Sequence, residues 1–169
     1  MILVGLPGSG KSTVGAAVAR ALGRRLIDLD AEIVRRERRS IAEIFARDGE
    51  PHFRALEREA TERLRALPPS VIAPGGGWAT VPETVAILRP PARTAYLRVS
   101  PRTAARRIRR SAHVRPLLRA GRPIEILERL LAARAAAYEA ADLVVDAEVL
   151  SRQEVVNRIV ALVSPPHGG

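Results

Sequence analysis

Gly5-Leu6-Pro7-Gly8-Ser9-Gly10-Lys11-Ser12-Thr13, near the start of the chain, fits the pattern G-x-x-x-x-G-K-[ST] at every position. A short apolar run, Ile2-Leu3-Val4, precedes it and reads as a buried strand, while Val14 to Leu22 follows as an amphipathic helix closed by Gly23. Strand, glycine loop and helix in that order are the context a phosphate-binding loop needs. Backbone N–H groups of the loop turn inward and, with the helix N-terminus, form a seat for phosphate oxygens. Gly8 and Gly10 let the backbone curl without Cβ clashes. Lys11 brings a point charge to the β- and γ-phosphates, and the Ser12 hydroxyl is suited to Mg²⁺. Of the chain's 28 basic residues Lys11 is the only lysine. It stands where phosphate chemistry favours a compact ammonium over a planar guanidinium.

Outward from the loop, strands and helices alternate. Arg25 to Asp30 reads as a second strand with Asp28 and Asp30 at its carboxyl end, two residues apart and so on one side. Ala31 to Arg39 is helical. Ser40-Ile41-Ala42-Glu43 is a capping box opening a helix that stops near Gly49, and Glu50 to Leu67 is a long charged helix. On that helix Arg54 and Glu57 share a face, so the glutamate can orient the guanidinium. Val71-Ile72-Ala73 is a third strand, followed by Gly75-Gly76-Gly77, a costly run that marks a backbone approached closely by a ligand. Val81 to Leu88 is a short helix, Thr94 to Val99 a fourth strand, and Pro101 to Arg110 a helix. Ser111 to Gly121 lacks periodicity and carries Arg115-Pro116-Leu117-Leu118, which reads as a lid over about 111–122. Pro123 to Ala140 is a helix with Arg134 and Tyr138, Leu143-Val144-Val145 a fifth strand, and Ser151 to Glu154 a second capping box opening the last helix. The tail over 164–169 is expected to be flexible.

This alternation predicts one α/β domain over 1–169, a three-layer sandwich with a five-stranded parallel sheet. The length of 169 residues suits one core, and hydrophobic residues make up 47% of it. No apolar run is as long as a membrane span, no signal peptide is visible and cysteine is absent, so a cytoplasmic protein is expected, without membrane partners, disulfides or thiolate metal sites. The net charge of +10 invites a nucleic-acid reading. The arginines are instead scattered among Glu and Ala on helices, with no interleaved aromatics, and a basic cleft equally suits small anions. No nucleic-acid partner is expected.

In an open α/β sheet the ligand sits at the carboxyl ends of the strands. Those ends carry the phosphate loop, Asp28, Asp30 and the triple glycine, with Arg54, Arg115 and Arg134 as candidates to hold anionic groups. The residues alone therefore read as a small-molecule kinase with an anionic acceptor.

The chain also resembles the shikimate kinases over nearly its whole length. The phosphate loop, Asp28-Leu29-Asp30, Ser40 to Phe45, Gly49-Glu50 with Phe53-Arg54 and Glu57, Gly75-Gly76-Gly77, Arg115 to Leu118, and Arg134 with Tyr138 carry the resemblance in order and spacing. It implies transfer of the ATP γ-phosphoryl group to the 3-hydroxyl of shikimate with Mg²⁺. It also implies a phosphate-loop kinase fold of the nucleoside-monophosphate-kinase type, with sheet order 2-3-1-4-5 and a closing lid. By resemblance, Gly8, Ser9, Gly10, Lys11, Ser12, Thr13, Arg115 and Arg152 bind ATP. Lys11, Asp30 and Arg115 are catalytic, Asp30 being placed to take the proton of the attacking hydroxyl. Asp30, Arg54, Gly76 and Arg134 hold shikimate, the two arginines on its carboxylate. Ser12 is a direct Mg²⁺ ligand and Asp28 an indirect one through water. The acceptor helices span about 31–66, and a monomer is expected.

Three positions depart from the family's pattern. Pro74 and Trp78 flank the triple glycine, where small residues are usual, so the indole is expected to alter the acceptor pocket. In register with the usual arginine ahead of the lid stands Ile108, between Arg107 and Arg109. The loop after Asp146 lacks the usual basic-and-proline pattern, and Arg152 is the nearest substitute. Two other readings stay open: a kinase of another polyol acid such as gluconate, supported only by Trp78, and a kinase-like sensor without turnover. The joint presence of Lys11, Ser12, Asp30 and Arg115 argues against the sensor.

Overall fold

The computed structural model describes residues 1–110 and 122–164. All of the stretch read as a lid except Arg122, and with it Arg115, lies outside the described residues, as do positions 165–169 of the tail. Five strands, β1 (Ile2–Val4), β2 (Leu26–Asp28), β3 (Val71–Ala73), β4 (Thr94–Arg98) and β5 (Leu143–Asp146), form one parallel sheet in the order β2-β3-β1-β4-β5. Ile2 pairs with Ile72 on one side and Thr94 on the other, which makes β1 the central strand. A central parallel strand is covered on both faces and so reads as an unbroken apolar run. Ile2, Leu3 and Val4 are all buried.

Among the described residues seven helices connect and flank the strands: α1 (Lys11–Ala21), α2 (Leu29–Glu37), α3 (Ile41–Leu64), α4 (Pro82–Leu88), α5 (Pro101–Arg110), α6 (Pro123–Glu139) and α7 (Arg152–Val163). α1 packs on α7, α5 on α6, and α2, α3 and α4 follow one another. Ile33, Ile44, Leu127 and Ile159 reach from four of them into a core shared with Leu3, Ile72 and Leu97. Both capping boxes form: Ser40 Oγ accepts from Glu43 N at 3.2 Å while Glu43 accepts from Ser40 N at 2.7 Å, and Ser151 with Glu154 repeats the exchange. α3 carries non-helical backbone at Gly49, so it is two helical segments meeting at a kink, the first ending where the sequence predicts a stop. No helix among the described residues is long and apolar enough to cross a membrane.

Two expectations need correction. β2 ends at Asp28, not Asp30, because the Asp28 carboxylate accepts from Ala31 N at 3.1 Å and turns the chain into α2. Asp30 is thus a first-turn helical residue, and the argument that two strand carboxylates face one side does not apply. Trp78 does not enter the acceptor pocket. It opens a short 3₁₀ turn, Trp78–Thr80, that rotates the indole inward; the side chain is 1% exposed and its Nε1–H donates to Thr61 Oγ1 on α3 at 3.0 Å.

Candidate active site

The loop between β1 and α1 is shaped by left-handed glycines. Gly8 and Gly10 have φ of 81° and 99°, values that a side chain would strain. At Gly8 there is no room either, since a Cβ would meet Ala104 O at 2.6 Å and Ile108 Cγ1 at 2.8 Å. Gly10 is the N-cap of α1 and offers no side-chain acceptor, and no acidic residue stands in the first turn. The N-terminus of α1, with the positive end of the helix dipole behind it, is thus of a kind suited to an anion. Lys11 is buried and its Nζ donates to Gly5 O at 2.8 Å and Leu6 O at 3.1 Å, which fixes the ammonium at the loop. Ser12 and Thr13 follow it, exposed, in the first turn.

Beside this seat, the three glycines after β3 each lie under a different charged side chain. A Cβ on Gly75 would stand 2.8 Å from Asp30 Oδ1, one on Gly76 would stand 2.8 Å from an Arg134 Nη, and one on Gly77 would stand 2.6 Å from an Arg54 Nη. The position above Gly76 also lies 3.4 Å from Pro7 Cδ, so this platform abuts the phosphate loop. The sequence reads the run as a backbone approached by a ligand; the approach is made first by the protein's own side chains from α2, α3 and α6.

Arg54 is held between two carboxylates, donating to Glu57 Oε2 at 2.8 Å and to Glu50 Oε1 at 2.9 Å. Burial opposes its charge, but these hydrogen bonds outweigh that and raise its pKa above the ordinary arginine value. Glu57 is 1% exposed, and burial pushes its carboxyl up despite the Arg54 contact. Its Oε1 has no hydrogen-bond partner among the described residues. Tyr138 is fully buried and donates from its hydroxyl to Gly76 O at 2.6 Å, pinning the middle glycine; burial raises its pKa, with Arg134 acting the other way.

On the other side of the phosphate loop, α5 is tied to the loop after β5. Glu148 accepts from Ser100 N at 2.7 Å and Ser100 Oγ at 2.9 Å, and also from Thr103 Oγ1. Arg107 donates to Ser9 O at 3.1 Å and to Ala147 O at 2.7 Å. Ile108, in register with an expected arginine, packs on Gly8 instead. Arg152 stands exposed as the first residue of α7.

The structure thus brings Asp30, Arg54, Gly76 and Arg134 together beside Pro7 of the phosphate loop, with Asp28 at the end of β2. Arg115 lies outside the described residues. Sequence reasoning missed the roles of Gly75, Gly77, Glu50 and Arg107. The Glu50–Arg54 pair was legible from its i, i+4 spacing. The two outer glycines were not, because their partners come from distant helices.

A family model described as shikimate kinase matches residues 7–164. The shikimate kinase of Geobacter metallireducens is 42% identical over 159 residues, covering 94% of this chain and 88% of that protein. The solved shikimate kinase of Acinetobacter baumannii, in complex with shikimate, is similar over 96% of this chain and 90% of its own, with a TM-score of 0.86 and 32% identity. That of Bacteroides thetaiotaomicron is similar over 96% of both chains, with a TM-score of 0.88 and 30% identity.

Proposed function

This chain belongs to the shikimate kinase family, and from that we propose that it transfers the γ-phosphoryl group of ATP to the 3-hydroxyl of shikimate, giving shikimate 3-phosphate and ADP. The observation that carries the reading is the convergence of Asp30, Arg54 and Arg134 on Gly75–Gly77, one van der Waals contact from Pro7 of the phosphate loop. Phosphoryl transfer asks for in-line positioning and neutralised charge. Two guanidinium groups match an acceptor carboxylate with planar, bidentate geometry. Anchored there, the ring presents its hydroxyls to Asp30, whose carboxylate aligns the attacking oxygen and takes its proton. Lys11 and the N–H groups of the loop hold the transferring phosphate. Arg115 completes the charge cage from the lid in this reading, and Arg152 lies on the nucleoside side.

Mg²⁺ bound with ATP would neutralise phosphate charge during transfer, and Ser12 directly and Asp28 through water would hold it. The donor set fits such an ion, which keeps several waters and takes few protein ligands. Ser12 is exposed in the first turn of α1, beside Lys11. Asp28 commits Oδ1 to the cap of α2, which suits contact through water.

Removing the acceptor's charge tests the assignment. Arg134→Ala and Arg54→Ala should each raise the KM for shikimate about ten- to hundred-fold, as a charged hydrogen bond contributes about 1.5–3 kcal/mol, and leave the KM for ATP unchanged. Arg54→Ala strands the buried Glu57 carboxylate, so the Arg134 variant and the methyl ester of shikimate carry the test if that variant loses stability. The ester should be a poor substrate of the wild type, and Arg134→Ala should discriminate less between ester and acid. Equal efficiency toward both, with the arginine variants silent, overturns the reading.

The gluconate alternative rested on Trp78, whose indole is in the core and bonded to Thr61. Trp78→Phe should cost about 1–3 kcal/mol of stability in urea unfolding and leave the ratio of kcat/KM for shikimate over gluconate unchanged. A shift in that ratio restores Trp78 to the pocket.

A further inference from the structure

Topology divides the site. Acceptor groups gather at the end of β3, on one side of the central strand, where α2 and α3 deliver Asp30 and Arg54 and α6, from between β4 and β5 in the chain, reaches over with Arg134; the phosphate loop stands at the end of β1. The nucleoside end of ATP must then extend the other way, toward the carboxyl ends of β4 and β5. Two separate loops therefore share the nucleotide: residues 5–10 take the phosphates, and the loop after β5, residues 147–151, faces the nucleoside.

α5 touches both. Ala104 and Ile108 close over Gly8, while Ser100 and Thr103 clasp Glu148. Among the described residues Arg107 alone bonds both loops through one side chain, donating from one nitrogen to Ser9 O and from the other to Ala147 O. Ala147 is buried, and its own N–H is fixed on Arg98 O at 3.0 Å, so this end of the bracket is firm. A planar guanidinium is suited to such a span, because its donors point in fixed, divergent directions.

The geometry points to Arg107 as a positioning residue that sets the distance between the phosphate loop and the nucleoside loop. This rests on the functional reading above. A ligand that spans two subsites gains from their preset spacing, whereas a fragment using one subsite does not.

The test measures binding of ATP, inorganic tripolyphosphate and adenosine to wild type, Arg107→Gln and Arg107→Lys, by calorimetry or by ligand-observed NMR. ATP affinity should fall at least tenfold in both variants, while tripolyphosphate and adenosine change less than about twofold and the KM for shikimate holds. Lysine, with one nitrogen, should fail to rescue. Tripolyphosphate weakened as much as ATP makes Arg107 a direct phosphate ligand, and adenosine weakened as much makes it a base contact; either overturns the bracket. Full rescue by lysine overturns it too, as does ATP affinity unchanged in Arg107→Gln. Loss of all three ligands and of the shikimate KM together assigns a purely structural role and also overturns it. If Arg107→Gln fails to fold, the lysine variant carries the same comparison. Wild type that binds no ATP sinks the kinase reading itself, an outcome distinct from a silent Arg107.

Discussion

Asp30→Asn should fold and bind ATP normally and turn over about 10²–10⁴-fold more slowly, the range of a lost general base. The amide keeps the shape of the side chain in the first turn of α2 and its fit against Gly75. It gives up the charge that draws the proton from the attacking hydroxyl. An acidic residue in a first helical turn favours the helix by about 0.3–1 kcal/mol, so folding should be nearly untouched. Single-turnover rates with both substrates saturating read the chemical step directly. A rate within a few-fold of wild type would remove Asp30 from the chemistry.

The second large effect belongs to Lys11. Lys11→Ala should lose nucleotide affinity and turnover together, with turnover down about 10²–10³-fold, as when one preorganised donor to developing charge is removed. Arginine should not rescue it. The ammonium sits in a buried niche between Gly5 O and Leu6 O, and a wider planar group cannot keep both contacts without moving the loop. Arg→Lys exchanges at exposed arginines away from the site should be nearly silent by contrast. Retention of ATP affinity and rate in Lys11→Ala would take down the phosphate-loop assignment.

What the sequence disclosed follows the range of the interactions involved. The phosphate loop, both capping boxes and the break at Gly49 are local devices, and each is where it was read. Asp30 does stand against Gly75, yet the local route that pointed to it was wrong. A strand period was extended two residues past Asp28, although an aspartate at an N-cap position competes for the same backbone. Trp78 was judged by its neighbours in sequence, and only the turn at 78–80 reveals that it faces Thr61. Ile108 and Arg107 differ by one residue, about 100° around a helix. Register with the family therefore drew attention to a side chain on Gly8, while the adjacent one holds two loops. The contacts of Arg134 with Gly76 and of Tyr138 with its carbonyl join elements far apart in the chain, and no periodicity announces them.

The platform after β3 works as a ruler. Consecutive Cα atoms are 3.8 Å apart across a trans peptide, so three charges that each rest on successive glycines inherit their spacing from covalent geometry. Helices α3 and α6 need not be placed with ångström accuracy, because each only has to deliver one long side chain to its own mark. Drift in helix packing is absorbed by long, flexible arginines, and the pattern offered to the acceptor stays constant. Calibration of this kind needs marks without height: a single methyl on any one of them would shift one charge and leave the other two in register.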